Sequence, residues 1–62
     1  MLKKGEVYRL SSPGFQFTGE EDGWLWVYTG RGMDGAGIFR NYFKSVATGR
    51  REWLPVLWLD LD

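Results

Sequence analysis

The stretch Gly23-Trp24-Leu25-Trp26-Val27-Tyr28-Thr29-Gly30 limits the folds open to this chain more than any other. Aromatic, aliphatic and β-branched residues between two glycines suit a pleated strand with a turn at each end. A strand over residues 24–29 is therefore expected at the centre of a sheet. On a two-residue period Trp24, Trp26 and Tyr28 share one face, and Leu25, Val27 and Thr29 share the other. The aliphatic face suits a core. The aromatic row is then expected to face outward, as a binding or assembly surface.

The flanking segments read as further strands and turns. Residues 6–10 alternate, with Tyr8 and Leu10 on one face and Arg9 turned to water. Ser11-Ser12-Pro13-Gly14 has the composition of a turn. Phe15-Gln16-Phe17-Thr18 reads as a short strand, or as a loop with both rings folded inward. The acidic run Gly19-Glu20-Glu21-Asp22-Gly23 reads as a solvated hairpin tip, with a specificity patch for a basic partner as the sharper alternative. Residues 30–37 hold Gly30, Gly32, Gly35 and Gly37 and are expected to form a flexible hairpin connection. A phosphate-loop reading fails there, because no helix follows and the Lys-Ser/Thr pair is missing.

Ile38 and Phe39 are expected in the core with Leu25 and Val27. Asn41-Tyr42 is expected to form a short 3₁₀ turn before a strand at residues 43–46, and residues 48–52 a polar loop. From Leu57 the tail alternates. It predicts a half-buried strand with Leu57, Leu59 and Leu61 on one face and Trp58, Asp60 and Asp62 on the other.

Composition excludes several classes of chemistry. The 62 residues contain no Cys and no His. Disulfides, thiolate metal sites and imidazole bases are therefore absent. The carboxylates offer no catalytic pair: Asp60 and Asp62 share a face at a chain end, and residues 20–22 fall in an exposed loop. The chain is read as one non-enzymatic domain over residues 1–62, with no metal and no cofactor. Four Trp, three Tyr and four Phe supply the apolar material, each ring burying about 150–250 Å². Eight basic residues balance eight acidic ones, which argues against a nucleic-acid partner, since phosphate neutralisation needs a basic excess. No apolar run approaches the roughly 20 residues of a membrane helix. No apolar segment of the signal-peptide kind follows Lys3 and Lys4. A cytoplasmic setting is expected.

Three motifs in series resemble the SH3 family. They are Lys3-Lys4-Gly5-Glu6-Val7-Tyr8-Arg9-Leu10, Glu21-Asp22-Gly23-Trp24-Leu25-Trp26-Val27, and Gly37-Ile38-Phe39-Arg40-Asn41-Tyr42-Phe43. They are similar to the family's diverging turn, its Trp-bearing strand, and its fourth strand with the 3₁₀ turn. The resemblance covers residues 3–46. It implies an all-β fold, a small SH3-like barrel of about five antiparallel strands. The family's first strand and the loop after it have no counterpart, and the Pro of the 3₁₀ turn is replaced near Arg40. A permuted arrangement is therefore also expected, with the C-terminal strand at residues 56–61 taking the place of the missing first strand.

The resemblance implies an aromatic groove for extended, Pro-rich segments. Trp24 matches the groove Trp, Tyr42 the 3₁₀-turn Tyr, and Asn41 lies beside it. With the aromatic row, the expected partner-binding set is Trp24, Trp26, Tyr28, Asn41 and Tyr42, on a protein-interaction module. A homo-oligomer or a subunit docked on a larger assembly is the second reading. The third is a nucleic-acid-binding barrel, whose basic face would be Arg31, Arg40, Lys44, Arg50 and Arg51.

Overall fold

Register decides which side of this chain becomes the core. The computed structural model describes residues 1–61. Five strands form one antiparallel sheet: β1 (Val7–Leu10), β2 (Leu25–Met33), β3 (Phe39–Ser45), β4 (Arg51–Trp53) and β5 (Leu59–Asp60). Their order across the sheet is β4-β3-β2-β1-β5, curled as a small half-barrel. Tyr8 lies opposite Trp26, and Tyr28 opposite Phe43. These pairings bring four rings to one side, where Leu10, Leu54 and Leu59 complete the core.

The aromatic row of β2 therefore faces inward, the reverse of the expectation. Trp26 is fully buried and Tyr28 nearly so, while Leu25 is 47 % exposed. Size explains the inversion. In so small a domain the rings bury the most area per residue, so the sheet closes over indole and phenol. Ile38 and Phe39, expected in the core, are half exposed at the tip of the β2–β3 hairpin with Met33. The inner face of β1 is as read, with Leu10 buried and Arg9 outside.

Residues 11–18 depart furthest from the expected turn and short strand. They form a helix, α1 (Ser12–Thr18). Ser11 is its N-cap, its hydroxyl accepting the Gly14 amide, and Pro13 occupies the first turn, where its missing N–H costs nothing. At the other end the Gly19 amide donates to the Phe15 carbonyl. Gly14 is buried where α1 meets the tail. A Cβ there would collide with the Trp58 carbonyl and come within 2.9 Å of the Trp58 Cβ.

The β2–β3 hairpin is longer and more regular than the glycine content suggests. β2 runs through Gly30 and Gly32, and only residues 34–38 form the connection. A bulge falls between Tyr28 and Gly30. Gly30 has φ +117, which a side chain would strain. Asn41 and Tyr42 form no 3₁₀ turn but continue β3. Asn41 Oδ1 accepts the Tyr28 hydroxyl at 2.9 Å, a bond between β2 and β3. The polar stretch at residues 51–53 is the edge strand β4.

The tail pairs with β1 in the same chain, Leu59 opposite Leu10 and Asp60 opposite Arg9. It is only partly the strand expected. Val56–Trp58 form a 3₁₀ turn, and Leu57 is 89 % exposed instead of sharing a buried face with Leu59. Asp62, assigned to the face of Trp58 and Asp60, lies outside the described residues.

Candidate functional site

The alternation of the strands defines an outer sheet face, and the candidate site lies on it. Going along β3 and its continuation, Arg40, Tyr42, Lys44 and Val46 point outward. Across from them on β4 are Trp53 and Arg51, and on β2 are Gly32, Gly30, Val27 and Leu25. The Val46 amide extends the ladder by donating to the Leu25 carbonyl at 3.0 Å. Beside this last pair is a cleft of about 170 Å³, lined by Asp22, Gly23, Trp24, Leu25, Val46 and Ala47. Its walls are almost wholly apolar. A cavity of comparable size admits a benzene ring, whereas small-molecule sites usually run to about 300–1,000 Å³. One aliphatic or prolyl side chain fits.

Trp24 lines the cleft. Its ring stacks on Phe15 at 3.9 Å between centroids and 6° between planes. The Arg9 guanidinium lies 4.5 Å from the same centroid. Both cannot share one face at those distances, so the indole is clamped between an aromatic ring and a cation. The clamped ring forms one wall of the cleft.

The opposite wall, Val46 and Ala47, is a turn pinned by Asp22. Asp22 is 2 % exposed. Thr48 Oγ1 donates to its Oδ1 at 2.6 Å, and Arg50 Nη1 to its Oδ2 at 2.7 Å. Ser45 Oγ donates to the Asp22 carbonyl and in turn accepts the Ala47 and Thr48 amides. This serine-centred local motif sets the turn, and the buried carboxylate ties it to the chain before β2. Arg50 also donates to Glu52 at 2.8 Å, and the bond to Asp22 is the main cause of its raised pKa. The acidic run is thus not a uniformly solvated tip. Glu20 and Glu21 are exposed, but Asp22 is a structural anchor.

Of the five residues expected to bind a partner, Trp24 and Tyr42 reach the outer surface. Trp26 and Tyr28 are sealed in the core, and Asn41 is engaged with Tyr28. Tyr42 is half-buried, its ring resting over Gly32, where a Cβ would stand 3.5 Å from it. Trp53 lies opposite Tyr42 on the outer face, and Arg40 covers its ring at 4.0 Å. The five expected basic residues do not form one face. Arg40, Lys44 and Arg51 point outward. Arg31 lies on the other side with Phe39, 4.9 Å from that ring, and Arg50 turns to Asp22.

At the hairpin tip Asp34 accepts the Ala36 and Ile38 amides through Oδ1 and Arg40 Nε through Oδ2. The Ile38 amide and then the Arg40 guanidinium hold its carboxyl below the usual carboxylate value. Sequence reasoning missed Val46, Ala47 and Trp53 as surface residues. The Ser45-to-Thr48 spacing, two hydroxyls three residues apart before Gly49, was the available signal for the turn.

Comparison with protein families, with curated proteins and with solved structures finds no match to this chain. Among the described residues no helix is long and apolar enough to cross a membrane.

Proposed function

We propose that the chain is a non-catalytic binding module that takes an extended protein segment across its outer sheet face, with one apolar side chain of that segment in the cleft beside Trp24. The observation that carries this reading is the cleft itself: side-chain-sized, apolar, and held open by a clamped indole and a pinned turn. Leu25 and Val46, about half exposed at its rim, with Val7 and Val27 beyond, offer further apolar contact. Preorganised walls reduce the ordering cost that weakens small interfaces. The SH3 resemblance supports an extended or Pro-rich ligand, although the face used differs from the aromatic row the sequence suggested. We assign the module to the cytoplasm on the absence of Cys.

The test is a titration with short Leu- and Pro-containing peptides, followed by amide shifts. Binding should move Gly23, Leu25, Val46 and Ala47, and Ala47→Trp, which fills the cleft, should abolish it while the chain stays folded. Binding that survives Ala47→Trp, or silence at millimolar peptide, removes the reading.

Self-association is a second reading with its own observation. Leu57, Phe17 and Val56 are exposed together where α1 meets the tail. Leu57→Asp should then lower the apparent mass in light scattering; a monomer at high concentration ends that reading.

A further inference from the structure

The outer face carries a charge arrangement that the sheet does not explain. Lys44 and Arg51 stand directly opposite each other across β3 and β4, both exposed. Like charges in that register work against strand pairing. The acids that form ion pairs among the described residues pair with other cations. Arg40 is paired with Asp34, and Arg50 with both Asp22 and Glu52. Glu52, the sequence neighbour of Arg51, alternates to the other side of β4 and serves Arg50. Among the described residues, neither Lys44 nor Arg51 has a carboxylate within ion-pair distance. Two uncompensated cations therefore lie side by side on the face that carries the cleft.

Their position relative to the cleft is set by strand geometry. Val46, at the cleft rim, and Lys44 are two residues apart with the same outward direction. Same-face positions two apart along a strand are separated by about 6.6 Å. An extended segment laid along β3 has the same two-residue period. The residue two positions from the one in the cleft would lie over Lys44 and Arg51.

We propose that the segment recognised on this face is acidic, carrying an Asp or Glu two positions from the apolar side chain that enters the cleft. The inference rests on the binding-module reading and names the partner's chemistry. The carboxylate accepts from both cations and relieves their opposition, so the face trades a local cost in the free protein for selectivity in the complex.

The test uses Pro-flanked synthetic peptides with Leu and Asp two positions apart, in both orders, against the same peptides with Asn for Asp and with the two residues adjacent. Affinity is read from amide shifts of the full chain. One of the Asp peptides should bind about fivefold more tightly than its Asn counterpart. The difference should vanish near 1 M salt, where the screening length falls to about 3 Å. Lys44→Glu should remove the preference, so that the Asp and Asn peptides bind alike to that variant. If Asp and Asn peptides bind alike, or a single-stranded oligonucleotide binds this face more tightly than either, the acidic-segment inference is overturned and the cleft reading stands on the Asn peptide. If neither peptide moves the cleft residues, both fall together.

Discussion

Asp22 shows how far a single side chain can reach in a chain this short. Its carboxylate holds the turn that forms one wall of the cleft, and its partners lie 23 to 28 residues downstream. Asp22→Ala leaves the Thr48 hydroxyl without its acceptor and the Arg50 guanidinium with Glu52 alone. The variant should lose about 2–3 kcal/mol in chemical denaturation and bind peptide poorly even where folded. An unchanged midpoint would mean that the turn stands on its own serine motif. Gly14 tests packing against propensity. Ala is the better helix former by about 1 kcal/mol, yet a Cβ at that position meets the Trp58 backbone. Gly14→Ala should therefore destabilise the protein, by about 1–3 kcal/mol. Neither residue's role was legible in the sequence. Local pattern marks Asp22 as one acid among three between glycines, and nothing in it reports contacts so distant along the chain. The direction of Trp24, Trp26 and Tyr28 failed for a related reason. Both faces of that strand are apolar, so alternation alone cannot choose between them. The pairing of Tyr8 with Trp26 makes the choice, and pairing is not a local property.

The strands were legible where alternation was clean and ambiguous where function or tip geometry interrupts it. β1 read correctly because apolar and polar residues keep a two-residue period, whereas β2 was legible as a strand but not in the direction of its faces. α1 was misread because Phe15-Gln16-Phe17 imitates that period. The cap was nevertheless present in the sequence: Ser11, then Pro13 in the first turn, then Gly19 past the end. The two rings part company in the fold, Phe15 to Trp24 and Phe17 to Trp58. At the β2–β3 tip, Asp34 organises the connection, and its lowered pKa gives that element a pH dependence. A carboxyl whose folded pKa is depressed contributes stability above its unfolded value near 3.8, lost as pH falls through the folded value. The protection factors of the Ala36 and Ile38 amides, that is, their exchange relative to an unfolded chain at the same pH, should fall on acidification below that point. Asp34→Asn, which has no carboxyl to titrate, should remove that pH dependence. The tail is short but not dispensable, because Leu54 and Leu59 are core residues. Removing residues 54–62 should abolish cooperative unfolding in a thermal melt; a truncated chain that still melts cooperatively would show that the tail is an appendage.

At the scale of the molecule, a net charge of zero conceals an uneven distribution. Asp22, Glu52 and Asp34 pair at a turn and a hairpin tip, and the outer face is left with Lys44 and Arg51 opposed. This arrangement has a testable signature in stability alone. Lys44→Glu puts opposite charges across the ladder and should raise stability by about 0.5 kcal/mol, although it impairs recognition of an acidic segment. A residue that weakens the fold while serving a surface is characteristic of a binding site. The rings of β2 that were expected to form an exposed row serve the interior instead, and the proposed partner surface is the face the sequence assigned to the core. The most direct measurement is a two-dimensional amide and indole NMR titration of the full chain with a Leu-containing extended peptide. Shifts should gather on Gly23, Leu25, Val46 and Ala47 and spread to Lys44, leaving the Trp26 indole and the hairpin tip at Ile38 and Phe39 unmoved. Shifts centred on the tip, or none up to millimolar peptide, would contradict the account.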